Sequence, residues 1–103
     1  MMVQVGDKVK FDAEKQRYTV RARDSRFVIM TKPFNLRKTY LYTIADLQRG
    51  VRGADSMIFG SIDQYDTPEG AEENLKRLQS GEMEVSYRNV VPLSDAEIEI
   101  LTI

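Results

Sequence analysis

Apolar and polar residues alternate with period two through much of the first half of the chain. In "VGDKVKF", Gly6-Asp7 suits a turn, and Val9 and Phe11 alternate with Lys8 and Lys10, a short strand. "RYTVRARD" is the clearest strand: alternation puts Tyr18, Val20 and Ala22 on one face and Arg17, Thr19, Arg21 and Arg23 on the other. "RDSR" then reads as a tight turn in which Asp24 and Ser25 bond their own backbone. "FVIMT" is apolar throughout, as in a central strand covered on both faces. Pro33 makes "KPFNLRK" a loop or a sheet edge, because proline donates no ladder hydrogen bond. "TYLYTI" resumes strand period, "ADLQRGVRGADS" reads as a loop or a hairpin with a short helical turn, and "MIFGSI" as a short strand.

The period changes to 3.6 in "TPEGAEENLKRLQSG", a helix over about 67–80. Thr67 suits its N-cap, Pro68 its first position and Gly81 the left-handed residue after its end. Ala71, Leu75 and Leu78 form one narrow apolar stripe, and Glu72–Lys76 and Glu73–Arg77 are favourable i, i+4 pairs. "EVSYRNVV" reads as a further strand ended by Pro92. In "LSDAEIEILTI", Ser94-x-x-Glu97 is a capping box, yet Ile98 and Ile100 alternate with Glu97 and Glu99 at strand period. A short turn followed by a terminal strand is the favoured reading. The sum is a single α+β domain over residues 1–103, mainly antiparallel strands, forming a small SH3-like barrel or bent sheet with one peripheral helix. The terminal strand would pair with another edge and close the barrel.

The 103 residues contain no cysteine and no histidine. Disulfides, thiolate nucleophiles, Cys/His zinc sites and Ser-His-Asp relays are thereby excluded. No side chain titrates near neutrality without a strong environmental shift. A carboxylate-based, metal-dependent enzyme is the least favoured reading, since no calcium-loop or phosphate-loop pattern occurs. The expectation is no enzyme, no cofactor and no metal. No apolar run reaches the roughly 20 residues of a membrane span, and the start lacks an apolar signal segment; a cytoplasmic setting is expected.

Charge is balanced overall but not along the chain. Residues 1–53 hold twelve Lys/Arg against five Asp/Glu, a net of +7, and residues 54–103 hold three against eleven, a net of −8. If the first two strands pair, Lys8, Lys10, Arg17, Arg21 and Arg23 gather on one sheet face. Arg37 and Lys38 add cations beside Tyr40. Cations that track phosphates next to rings that stack bases are what single-stranded nucleic acid requires. The competing reading is a solvated face, or one bridged to the acidic half. Tyr40 and Tyr42 share a face and are either both core or both platform, with core favoured, while Phe34 and Leu36 are expected to tuck under the loop.

Two weaker candidates stand beside this face. "RGVRG", residues 49–53, could cradle an anion, but the same residues suit a plain hairpin turn. Asp63, Asp66, Glu69, Glu72 and Glu73 form an acidic patch that could dock on a basic protein, or simply solvate a helix.

"TKPFN", "RKTYLYTIADLQRGVRG" and "SGEMEVSYRN" resemble, in wording and in order, a group of small uncharacterised proteins encoded by bacteriophages, prophages and related mobile elements. The likeness spans approximately residues 17 to 93. It implies a bacterial cytoplasmic setting and an accessory role, and it carries no activity or site residue to transfer. "VGDKVKF" separately resembles the first strand of many SH3-like barrels. The expected function is a binding module of a phage or mobile element that contacts nucleic acid through Lys8, Lys10, Arg17, Arg21, Arg23, Arg37 and Lys38. The alternative is a protein–protein adaptor or inhibitor, with a host or phage protein as partner, acting through the acidic helix or an exposed strand edge.

Overall fold

A computed structural model describes residues 3–11, 17–34, 39–53, 70–82 and 90–102. Among the described residues, six antiparallel strands follow one another in sheet order as in sequence: β1 (Lys8–Val9), β2 (Tyr18–Arg23), β3 (Phe27–Phe34), β4 (Thr39–Asp46), β5 (Val51–Gly53) and β6 (Val90–Pro92). Two helices are described with them, α1 (Ala71–Ser80) between β5 and β6 and α2 (Asp95–Thr102) after β6. Among the described residues β1 and β6 do not pair, so the sheet is open and bent rather than closed into an SH3-like barrel.

The turns are built as their residues dictate. The Asp24 carboxylate accepts from the backbone N–H groups of Arg26 (2.7 Å) and Phe27 (2.6 Å), closing the β2–β3 hairpin. The β4–β5 connection is the hairpin with a helical turn: Gly50 N–H donates to Asp46 O at 2.8 Å, and Gly50 takes φ 68°, a conformation glycine adopts without strain. Val51–Gly53, within the segment read as a loop or hairpin, is a strand paired on both sides. Pro33 lies inside β3 opposite Tyr40, beyond the last β2 partner, so among the described residues this part of β3 is a sheet edge. "MIFGSI", Thr67–Glu69 and the start of "EVSYRNVV" lie outside the described residues.

Both faces of the sheet are covered. On one, Ala71, Leu75 and Leu78 of α1 pack on Ala22, Phe27, Ile29 and Ile44. Burying a leucine side chain contributes roughly 1.5–3 kcal/mol, so the narrow stripe suffices to seat a ten-residue helix. Gly81 ends α1 at φ 82°, as its sequence indicates. On the other face Val3, Val9, Phe11, Tyr18, Val20, Val28, Met30 and Ala45 pack with Leu93 and with Leu101 of α2. β3 supplies alternate residues to both layers, the behaviour of a central strand.

Strand β2 departs from simple alternation. Val20 pairs with Met30 but Ala22 pairs with Ile29, so Arg21 is the extra residue of a β-bulge. The bulge swaps the parity of the residues after it. Val20 stays on the α2 face, Ala22 moves beneath α1, and Arg23 crosses to the α2 face opposite Val28. The sequence reading that kept Tyr18, Val20 and Ala22 on one face is therefore corrected.

The chain after Pro92 is a helix, not a strand. Its capping box is complete: Glu97 N–H donates to Ser94 Oγ at 3.1 Å, and Ser94 N–H donates to Glu97 Oε2 at 3.0 Å. Glu97 faces inward because Arg52 of β5 waits there. Arg52 Nη2 lies 3.5 Å from Glu97 Oε1, with side-chain exposures of 4% and 7%. The same guanidinium stacks 3.9 Å above the Phe11 ring, which meets Tyr18 edge-on at 5.6 Å. A carboxylate and a guanidinium thus tie α2 to the sheet through otherwise apolar surroundings.

Glu97→Ala removes the counter-charge of a buried guanidinium and is expected to cost about 3–5 kcal/mol of unfolding free energy in urea titration. Ser94→Ala, which removes only the cap, is expected to cost about 1 kcal/mol. Equal costs for the two would show that the ion pair contributes nothing.

Candidate nucleic-acid interface

The first hairpin carries the candidate cations. Lys8 pairs across the sheet with Thr19, and Thr19 pairs in turn with Thr31 of β3. The three form one cross-strand row on the side of the sheet that α1 covers. Lys8 Nζ donates to Thr19 Oγ1 at 2.6 Å. From the bulge Arg21 folds onto the same row, its Nε donating to Thr31 Oγ1 at 3.1 Å. Lys10, just after β1, and Arg17, just before β2, are exposed, and alternation places both on the side of Lys8. Lys8 is exposed as well, Arg21 is half-buried, and the two threonines are buried beneath them. Four of the expected cations therefore share a face.

Arg23 does not join them. Its guanidinium lies in the other layer, where Nη1 donates to Val3 O at 3.0 Å and Leu101 O at 3.4 Å, while Nε and Nη2 donate to Asp24 O. Leu101 O is one of the carbonyls that a helix C-terminus leaves without an intrahelical partner, so Arg23 serves as a C-terminal cap for α2. Simple alternation assigns Arg23 to the wrong face because nothing in "TVRAR" announces a bulge. Arg37 and Lys38 lie outside the described residues, as do the side chains of Phe34, Tyr40 and Tyr42.

The described aromatic rings are not stacking platforms. Phe11 and Tyr18 are fully buried, and Phe27 is 8% exposed. Lys32 holds its Nζ 5.1 Å above the Tyr18 ring, and Arg26 its Cζ 4.7 Å above Phe27. Cations and rings do meet in this protein, but as core-edge packing. The other arginine candidate, "RGVRG", resolves in the same direction. Arg52 is committed to Glu97, to the Gly53 carbonyl and to Phe11, so the segment is a structural hairpin rather than an anion cradle.

Two carboxylates organise the far end of the sheet: Asp46, which sequence reasoning passed over, and Asp24, which it read as a turn residue. Asp46, 1% exposed, accepts a bidentate pair from Arg26 (3.2 and 3.0 Å) and the N–H groups of Gln48 and Arg49 (3.1 and 3.2 Å). Asp24 accepts from Gln79 Nε2 at 3.1 Å in addition to its turn, which fixes the end of α1 against the β2–β3 hairpin. On the outer face of α1, Arg77 pairs with Glu73 at 3.3 Å, one of the expected i, i+4 pairs. Glu73, Lys76, Arg77, Ser80 and Glu82 line an open polar depression of mixed charge there. Asp63, Asp66 and Glu69 lie outside the described residues. Among the described residues no acidic cluster could hold a metal ion, and no helix is long and apolar enough to cross a membrane.

The chain matches no protein-family model, no curated protein and no solved structure.

Burial works to raise the Asp24 carboxyl, but it is outweighed by hydrogen bonds from the Phe27 N–H, Gln79 and the Arg26 N–H and by the charge of Arg23. The net effect holds the group below its ordinary value of 3.8. A carboxyl with a depressed folded-state pKa stabilises the fold fully above its unfolded value and loses that contribution as pH falls through the folded one. Urea titrations between about pH 5 and pH 2 are expected to show this loss in the wild type. They are expected to show a shallower acid limb in Asp24→Asn, whose carbonyl keeps an acceptor but no charge. Identical limbs would remove Asp24 from the account.

Proposed function

We propose that the chain is a non-enzymatic binding module that contacts nucleic acid through the face of its first hairpin. On its resemblance to the phage-encoded group, it serves a phage or related mobile element. The observation that carries the reading is that Lys8, Lys10, Arg17 and Arg21 share one face, the first three of them exposed. Strand rise separates Lys8 and Lys10 by about 6.6 Å, so neighbouring cations reach successive charges on a polyanion rather than converge on a small ligand. The described aromatic side chains are in the core, so the mode this face supports is contact with the sugar–phosphate backbone, with little readout of base identity. Such contacts are non-specific and salt-sensitive.

The adaptor reading draws less support. The described outer face of α1 mixes Glu72 and Glu73 with Lys76 and Arg77, and does not present a single sign of charge.

Fluorescence anisotropy with labelled oligonucleotides tests the proposal. Dissociation constants of roughly 10⁻⁴ to 10⁻⁶ M are expected, with little dependence on sequence. Three phosphate contacts, from the exposed Lys8, Lys10 and Arg17, imply a slope of log K against log salt of about −2. The triple variant Lys8→Glu, Lys10→Glu, Arg17→Glu is expected to abolish binding while keeping the melting temperature, since all three side chains are exposed. No binding to any oligonucleotide at low salt, or binding that ignores salt, would sink the proposal.

A further inference from the structure

The exposed cations of the first hairpin are not evenly spaced. Lys8 stands opposite Thr19, and Val9 opposite Tyr18. One further step in that register sets Lys10 opposite Arg17. The chain keeps its hairpin course there: Phe11, two residues past Val9, is fully buried, and its ring meets Tyr18 edge-on at 5.6 Å. Val9, Phe11 and Tyr18 belong to the layer that holds α2, so Lys10 and Arg17 stand together on the other side of the hairpin. Opposed residues of an antiparallel pair have Cβ atoms about 4.5–5.5 Å apart, and like charges placed so repel one another. Both side chains are exposed, and among the described residues no carboxylate pairs with either. Residues 8–17 hold four Lys/Arg against two Asp/Glu, so the hairpin keeps a net of +2 with its own carboxylates counted. Two positive charges are thereby held side by side, and Lys8 adds a third about 6.6 Å along the strand from Lys10.

We infer that Lys10 and Arg17 together seat a terminal phosphate of a nucleic-acid strand, with Lys8 on the adjoining phosphodiester, so that the module favours phosphorylated strand ends over strand interiors. The inference rests on the nucleic-acid reading and deepens it by naming the part of the strand that is held. An internal phosphodiester carries a single negative charge and can match only one member of the opposed pair. A terminal phosphate carries about −1.5 to −2 near pH 7 and presents three acceptor oxygens. It meets both cations at once. The Arg17 guanidinium offers a planar fork to two oxygens, and the Lys10 ammonium a compact charge to the third. Repulsion between the two cations is relieved on binding, and a dianion relieves more of it than a monoanion does. Lys8 donates one N–H to Thr19 Oγ1 at 2.6 Å and keeps two donors for the next phosphate. On an unphosphorylated strand the three cations meet separate phosphodiesters, and the pair gains nothing from its juxtaposition.

The test uses labelled oligothymidylates phosphorylated at one terminus or the other, against an unphosphorylated one two residues longer, which bears about the same total charge. Charge matching removes the general pull of a polyanion and leaves the effect of a phosphate end. The wild type is expected to bind one of the phosphorylated probes about threefold more tightly than the longer probe, the yield of one exposed ion pair. Lys10→Gln and Arg17→Gln are each expected to lose that preference. Lys8→Gln is expected to weaken binding to all three probes by a similar factor and to keep it. All three side chains are exposed, so melting temperatures recorded alongside are expected to stay at the wild-type value. Equal wild-type affinity for the charge-matched probes, or a preference that survives in both Lys10→Gln and Arg17→Gln, would overturn the phosphate-end seat and leave the nucleic-acid reading intact. Failure of the wild type to bind any of the probes at low salt would overturn both.

Discussion

One extra residue in β2, Arg21, lets the strand change faces midway. A strand buried on one face cannot do so, because its apolar side chains would be delivered to water. This strand can, because α1 lies over one face of the sheet and α2 with the N-terminal segment lies over the other. The bulge at Arg21 lets Tyr18 and Val20 pack in one layer and Ala22 in the other. It gives α1 a small residue to sit on, sends Arg23 to the end of α2, and leaves Arg21 folded over the Lys8–Thr19–Thr31 row. Helix seating, helix capping and the arrangement of the basic face all stem from one interruption of a ladder.

The buried charges divide into two kinds. Asp46 and Asp24 sit at the hairpin ends and collect backbone N–H groups that would otherwise lack partners, with Arg26 and Gln79 completing the sets. These carboxylates do the work of turn residues. Glu97 is different in kind: it closes a capping box with one oxygen and meets Arg52 with the other. Desolvating such a pair costs about what its attraction returns, so its contribution is better understood as selecting one docking of α2 over others. Apolar Ile98, Ile100 and Leu101 alone would accept several.

The local structure was legible wherever a residue type had one use. Gly81 marks a left-handed position, Gly6 and Asp24 mark turns, and the 3.6-residue stripe of Ala71, Leu75 and Leu78 marks a helix. The bulge was illegible, since Tyr18, Val20 and Ala22 fit perfect alternation whether or not a residue is inserted between the last two. The terminal segment was misread because Glu97 counted as a solvent-facing residue. Once its partner Arg52 is known, positions 97, 98 and 101 become one helical face, and the capping box is seen to have been the stronger signal. For the candidate site, the sharing of a face by Lys8, Lys10, Arg17 and Arg21 was readable from period two. The threonine anchors were not, because hydroxyls in strands look like ordinary β-branched filler until the cross-strand register is known.

The order of the strands has a kinetic consequence. From β1 to β5 sheet neighbours are also sequence neighbours, so these hairpins can zip with their ends already close, at small loop-closure cost, whereas β6 reaches β5 only across the segment that carries α1. The tie between Val3 N–H and Leu101 O, at 3.1 Å, and the meeting of Phe11, Arg52 and Glu97 join pieces from opposite ends of the chain. The slow, entropically demanding part of folding is therefore the addition of β6 and the docking of the last helix. Until it docks, one broad side of the sheet lies bare, and a newly made chain is at its most adhesive in that interval.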